Sequence, residues 1–165
     1  MENLVNEIGK LHKVAFFAGA LAYGAEKNLG QGSLSICYLA GKKFGLEAVD
    51  SAGQTEDPVE ALEILGEALR RRGIMWDFSP FQGERDALVE KEGGKCRMRL
   101  VFHTCLVRNA LFRFAHEQKQ SLCQMAHGVF AGAMEKVIPN AVVRLETIQA
   151  GPNTCLKELI WEAAK

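Results

Sequence analysis

The spacing of apolar residues changes along this chain, and that change limits the folds open to it. Up to Gly73 apolar side chains recur every three or four positions; from Ile74 they alternate. The helical spacing returns from about Val107 to Ile138, with a break near its start, and alternation resumes over Ala141–Gln149 and Thr154–Trp161. A helix repeats its buried face about every 3.6 residues and a strand every second residue. The order is therefore α-α-α-β-β-α-β-β. Two sequential strand pairs, each within reach of a hairpin, predict an α+β fold with a helical layer on one face of a four-stranded antiparallel sheet.

The punctuation agrees with this order. Leu4, Ile8, Leu11, Ala15, Ala18 and Ala22 mark a first helix. From Val14 to Ala22 it is apolar nearly all round, yet too short for a bilayer, which takes roughly 20 residues. That half is expected inside the protein or in a subunit interface. Ser33 is the expected N-cap of a second helix with Leu34, Cys37, Tyr38, Gly41 and Phe44 inward, and Gly45 is expected to stop it. Asp57-Pro58-Val59-Glu60 reads as a third helix start, with Val59, Leu62, Leu65 and Leu69 as the buried stripe. Gln82–Lys95 reads as an exposed loop or hairpin connection. Cys96, Met98, Leu100 and Phe102 then point one way, and Arg97, Arg99 and His103 the other. Pro139-Asn140 closes the last helix, and Ala150–Asn153 turns the final hairpin.

A chain of 165 residues suits a single domain, 1–165. Lys+Arg and Asp+Glu are 20 each, a formal net charge of +0, so no overall field draws the chain to nucleic acid. The N-terminus has no basic start followed by a cleavable apolar run, which predicts a cytoplasmic protein. The five cysteines are odd in number, scattered, and lack a CxxC pair, which argues against a disulfide scaffold, a zinc ribbon and a thioredoxin-type motif.

His116, Gln120, Cys123 and His127 fall on one helical face and could bind metal or line a polar pocket; His116-Glu117 opens like HExxH but meets Gln120 where the second histidine is needed. Gly128, Ala131, Gly132 and Ala133 let a neighbour approach that helix closely. Candidate lining of an apolar pocket is Trp76, Phe78, Met98, Leu100, Phe102, Phe112, Met125 and Phe130, residues that a core equally needs. Arg108, at a strand-to-helix junction, could meet a ligand carboxylate or form a surface ion pair.

The segment SLCQMAHGVFAGAMEKVIPNAVVRLETIQAGPNTCLKELI resembles the 4-vinyl reductase domain family of small-molecule-binding domains over Leu122–Ile160. The residues that carry the likeness are Cys123, Gly128, Gly132, Glu135, Glu146, Gly151 and Cys155. The resemblance implies a helical layer on a four-stranded sheet, a relation in fold to vesicle-tethering (TRAPP) subunits, an apolar pocket between layers, and dimerisation through helices. For its zinc-binding members it implies Cys123, Glu146 and Cys155 as ligands, with one more cysteine three residues after Glu146. Gln149 stands there, and a neutral amide is a poor zinc ligand. His127, one turn after Cys123, could complete the set; so could Cys105 or water.

The expected function is a binding domain for a small apolar or aromatic molecule, a sensor or carrier stabilised by zinc if the set is complete, acting as a homodimer. Two rivals are an enzyme working on a tetrapyrrole side chain or by other metal-assisted chemistry, and an assembly subunit whose pocket is filled by side chains. The sequence holds no Gly-rich phosphate loop for a nucleotide reductant.

Overall fold

The computed structural model describes residues 17–74, 76–83, 87–105, 120–151 and 153–164. Among them are four helices: α1 (residues 17–29), α2 (Gln31–Ala48), α3 (Pro58–Arg71) and α4 (Ser121–Val137). The strands are β1 (Asp77–Phe81), β2 (Glu90–Glu92), β3 (Lys95–Thr104), β4 (Ala141–Ala150) and β5 (Cys155–Ala163). The fold is α+β as expected, with one strand more than the four read from the sequence. The sheet runs β1-β3-β5-β4, all antiparallel, and β2 shares an edge of β3 with β1. β2 was hidden in the charged Gln82–Lys95 stretch because all three of its residues are exposed, so it has no apolar alternation. Gly93 and Gly94, with φ of 57° and 80°, make the tight turn that folds it back on β3.

α3 starts as its sequence predicts. Asp57 accepts a hydrogen bond from Val59 N at 2.8 Å, Pro58 takes the first turn, and Ala61, Leu62, Leu65, Ala68 and Leu69 form the buried stripe. α2 departs from expectation at both ends. Its N-cap is Gly30, and Ser33 is buried within the first turn, its hydroxyl donating to Gly30 O at 2.7 Å. Gly45 does not stop the helix, which runs on to Ala48. Instead, Gly41 and Gly45 face Gly128 and Gly132 of α4 at backbone contact. A Cβ on Gly41 would stand 2.0 Å from Met125 O, and one on Gly128 would stand 2.0 Å from Tyr38 O. The small residues read on α4 thus admit α2.

Glu135 secures this pair to the sheet. It bonds Lys42 of α2 at 2.7 Å and accepts from Val143 N of β4 at 3.1 Å. The core lies between α3, α4 and the sheet, around Leu65, Leu69, Phe102, Phe130, Met134 and Leu159. In the described part of α1 Ala22 is buried while Phe17 and Leu21 are 70% and 66% exposed, so residues 17–22 are not enclosed on all sides; Leu4, Ile8, Leu11, Val14 and Ala15 lie outside the described residues. No helix among the described residues is long and apolar enough to cross a membrane.

The glycine contact gives a direct test. Gly128→Ala should cost about 3 kcal/mol, read as a lower urea midpoint, because its methyl meets backbone that cannot yield. Gly53→Ala, whose Cβ meets nothing within 4 Å, should leave the midpoint nearly unchanged.

Candidate functional site

α3 and β1 enclose a groove of about 870 Å³. Its apolar walls are Val59, Leu62, Ile74, Trp76 and Phe78, and its rim carries Glu63, Glu67, Arg70 and Asp77. Gly66 keeps it open: a Cβ there would already stand 3.7 Å from Phe78 Cζ. The Trp76 Nε1 donor is shut off from solvent and has no acceptor among the described residues. A buried donor left unpaired costs about 1–3 kcal/mol.

Trp76 and Phe78 also belong to an aromatic cluster. Trp76 lies 5.6 Å from Phe130, Phe78 lies 4.9 Å from Phe130 and 5.4 Å from Phe102, and Phe102 lies 5.1 Å from Phe130, centroid to centroid. Of the candidate lining residues that are described, only Trp76 and Phe78 are on the groove. Met98, Leu100, Phe102 and Phe130 are 0–1% exposed and fill the space between helices and sheet where the pocket was expected. Met125 is 40% exposed, its backbone against Gly41, and is not among the groove's lining residues. Arg108 and Phe112 lie outside the described residues, as does His116 of the predicted stripe. Gln120 has extended backbone and caps α4 rather than extending it.

A second polar cluster sits farther along the sheet. Lys157 on β5 is 3% exposed, and its Nζ donates to Thr147 Oγ1 of β4 at 2.8 Å and to His127 Nε2 of α4 at 3.0 Å. Because an ammonium only donates, His127 Nε2 is the acceptor and its ring proton rests on Nδ1. Thr147 Oγ1 and His127 Nε2 are 3.0 Å apart, and Nζ stands 5.3 Å from the Phe102 ring centre. Burial, with the Lys157 charge adding to it, pushes the His127 pKa down to about 3. Burial likewise lowers that of Lys157, against the opposing pull of Cys123, Cys105 and Cys155.

This arrangement does not suit the ligand set that the resemblance implied. Among the described residues no three His, Cys, Asp or Glu side chains gather as metal ligands. Strand alternation explains why. Lys157 pairs with Thr147 on the helix side of the sheet, whereas Glu146 pairs with Glu158 on the far side. A bulge between Thr147 and Gln149 then sets Gln149 opposite Leu156, also on the far side. Glu146 thus alternates away from Cys155 and Lys157, and it meets His127 only as a fellow wall residue of an open pocket of about 350 Å³ at the β4 edge. Lys157 and Thr147 escaped the sequence reading. The available signal was a lysine in the apolar phase of Cys155, Lys157, Leu159.

No family model and no curated protein matches the chain by sequence. Solved structures match in fold. The phenol-responsive sensory domain of the transcription activator PoxR, determined with phenol, gives a TM-score of 0.64 at 12% identity, covering 90% of this chain and 74% of that one. A trafficking protein particle complex subunit 3 from Naegleria fowleri, covalently bound to palmitic acid, gives 0.58 at 14% identity, covering 94% and 98%. At such identities the likeness establishes the shared fold. It agrees with the relation in fold that the resemblance implied, while no family model supports the 4-vinyl reductase family itself.

The state of His127 sets a pH dependence. Its native form is neutral, and the unfolded chain takes up that proton near pH 6.5. Between about 6.5 and 3 the unfolded state holds the extra proton, so stability falls as pH falls through that window. The urea midpoint should drop from pH 7 to pH 5, and His127→Gln, which keeps an acceptor for Lys157, should flatten that slope.

Proposed function

We propose that this chain is a small-molecule-binding domain, a sensor or carrier for an aromatic or apolar ligand, and that the ligand sits in the groove between α3 and β1. The observation that carries this reading is a groove with apolar walls, one of them the indole of Trp76, whose Nε1 has no acceptor among the described residues and would be paired once the ring turned that edge to a bound oxygen. Such a site favours a flat apolar molecule bearing a single oxygen acceptor. The fold shared with a phenol-responsive sensory domain supports the reading, and the neighbour holding palmitic acid makes a fatty acid the natural competitor to test.

Trp76 reports on its own site once Trp161, the other tryptophan, is replaced by Phe. In that background phenol should quench or shift Trp76 emission saturably, with toluene, which lacks the oxygen, binding about tenfold more weakly. Gly66→Leu should fill the groove and abolish the response while leaving the melting temperature the same or higher. If neither phenols nor fatty acids change Trp76 emission, the binding reading fails. The assembly-subunit alternative then gains, since Met98, Leu100, Phe102 and Phe130 already fill the space between the layers.

We also infer a homodimer through the helical layer. Phe17 and Leu21 of α1 and Ile36 and Leu39 of α2 are 70%, 66%, 58% and 63% exposed, an apolar strip that water disfavours. Sedimentation should give twice the chain mass, and Leu39→Glu should return a monomer with an unchanged circular dichroism spectrum. A wild-type monomer at micromolar concentration would overturn the inference.

A further inference from the structure

Lys157 is a charged side chain in the wall between two layers, and the groove reading makes no use of it. Its partners come from three elements: His127 from α4, Thr147 from β4 and, face-on, Phe102 from β3. The acidic groups that act on it are the thiols of Cys123 on α4, Cys105 just beyond β3 and Cys155 on its own strand. Cys105 and Cys155 are 6% and 7% exposed and His127 is 5% exposed, so the cluster is buried, with an open pocket only at its His127–Thr147 edge.

We propose that the ammonium of Lys157 takes the place of a metal here: it is the built-in cation that ties α4, β4 and β5 together, and it keeps divalent metals out. Two physical points carry this. An ammonium offers three donors, and the site supplies neutral acceptors from two different elements within 3.0 Å, which is the cross-linking task a structural metal performs. A divalent ion drawn to the surrounding sulphurs would meet a like charge at close range in a poorly hydrated setting, where repulsion is strong. The sheet register adds that the one carboxylate implied as a ligand, Glu146, pairs with Glu158 out of phase with Lys157, and shares only an open pocket with His127.

The test uses cobalt(II) as a visible probe, together with zinc analysis of protein expressed in zinc-supplemented medium. Wild-type protein should carry less than about a tenth of an equivalent of zinc, show no tetrahedral cobalt bands, and melt at the same temperature with and without a chelator. Lys157→Ala should acquire thiolate-to-cobalt absorption and a chelator-sensitive melting temperature, because without the amine the cysteines and His127, which do not gather as ligands around it, are free to close on a divalent ion. If Lys157→Ala does not fold, Lys157→Gln, which keeps a donor and removes the charge, gives the same readout. Stoichiometric metal in the wild type overturns the proposal. So does failure of a folded variant to gain metal, which would make Lys157 an ordinary buried amine.

Discussion

The backbone contact between α2 and α4 fixes the distance on which the other packing relationships depend. Helices that meet through side chains stand about 8–10 Å apart. Gly41, Gly45, Gly128 and Gly132 lack the carbon that would enforce such spacing, and a Cβ at any of them would stand 2.0–2.1 Å from a backbone oxygen of the facing helix. With the backbones that close, Lys42 reaches Glu135, and Glu135 reaches the backbone N–H of Val143 near the start of β4. α4 is then held over the sheet at the height that lets Phe130 enter the aromatic cluster and His127 reach β5.

Much of this fold was legible because its elements bury one face and show the other. The period of two over β3 predicted Met98, Leu100 and Phe102 inward, and they are 0–1% exposed. The α3 cap was equally plain, since Asp57 and Pro58 act through local geometry alone. What stayed hidden depended on distant partners. Gly45 looks like a helix stop unless Val129 O is known to stand against it. β2 exists because a two-glycine turn lays three charged residues on β3, where Glu90 and Arg99 also approach at 3.7 Å. The bulge after Thr147 has no local signature in RLETIQA, yet it decides which face Gln149 takes.

The candidate site was harder to read for the same reason. An apolar residue that lines a groove and one that fills a core obey the same pattern, so Trp76 and Phe78 could not be separated from Met98 and Leu100 by sequence. Their difference arises at Gly66, a position in another element whose missing side chain leaves space beside Phe78. The cysteine and carboxylate spacing that suggested a metal site is a one-dimensional pattern, and strand alternation divides it between two faces. Burying an isolated ammonium is costly, and the cost is offset only where acceptors and counter-charges are already in place. That Lys157 is buried in company with a neutral imidazole, a hydroxyl and three thiols is therefore informative in itself.

The groove and the cation cluster are not independent pieces of the molecule. Phe78 lines the groove and stacks on Phe102 at 5.4 Å, and the Lys157 ammonium stands 5.3 Å from the centre of that same Phe102 ring. Aromatic pairs of this kind contribute about 0.5–1.5 kcal/mol beyond their buried area, and a desolvated cation over a ring adds about 2 kcal/mol. Phe102 is 1% exposed and packs against Phe130 as well, so it has little freedom to follow one neighbour without the other. The ring that backs the groove at β1 is thus also the ring that seats the amine at β5. An indole N–H with no acceptor among the described residues and a buried ammonium thus stand at the two ends of one packed aromatic cluster.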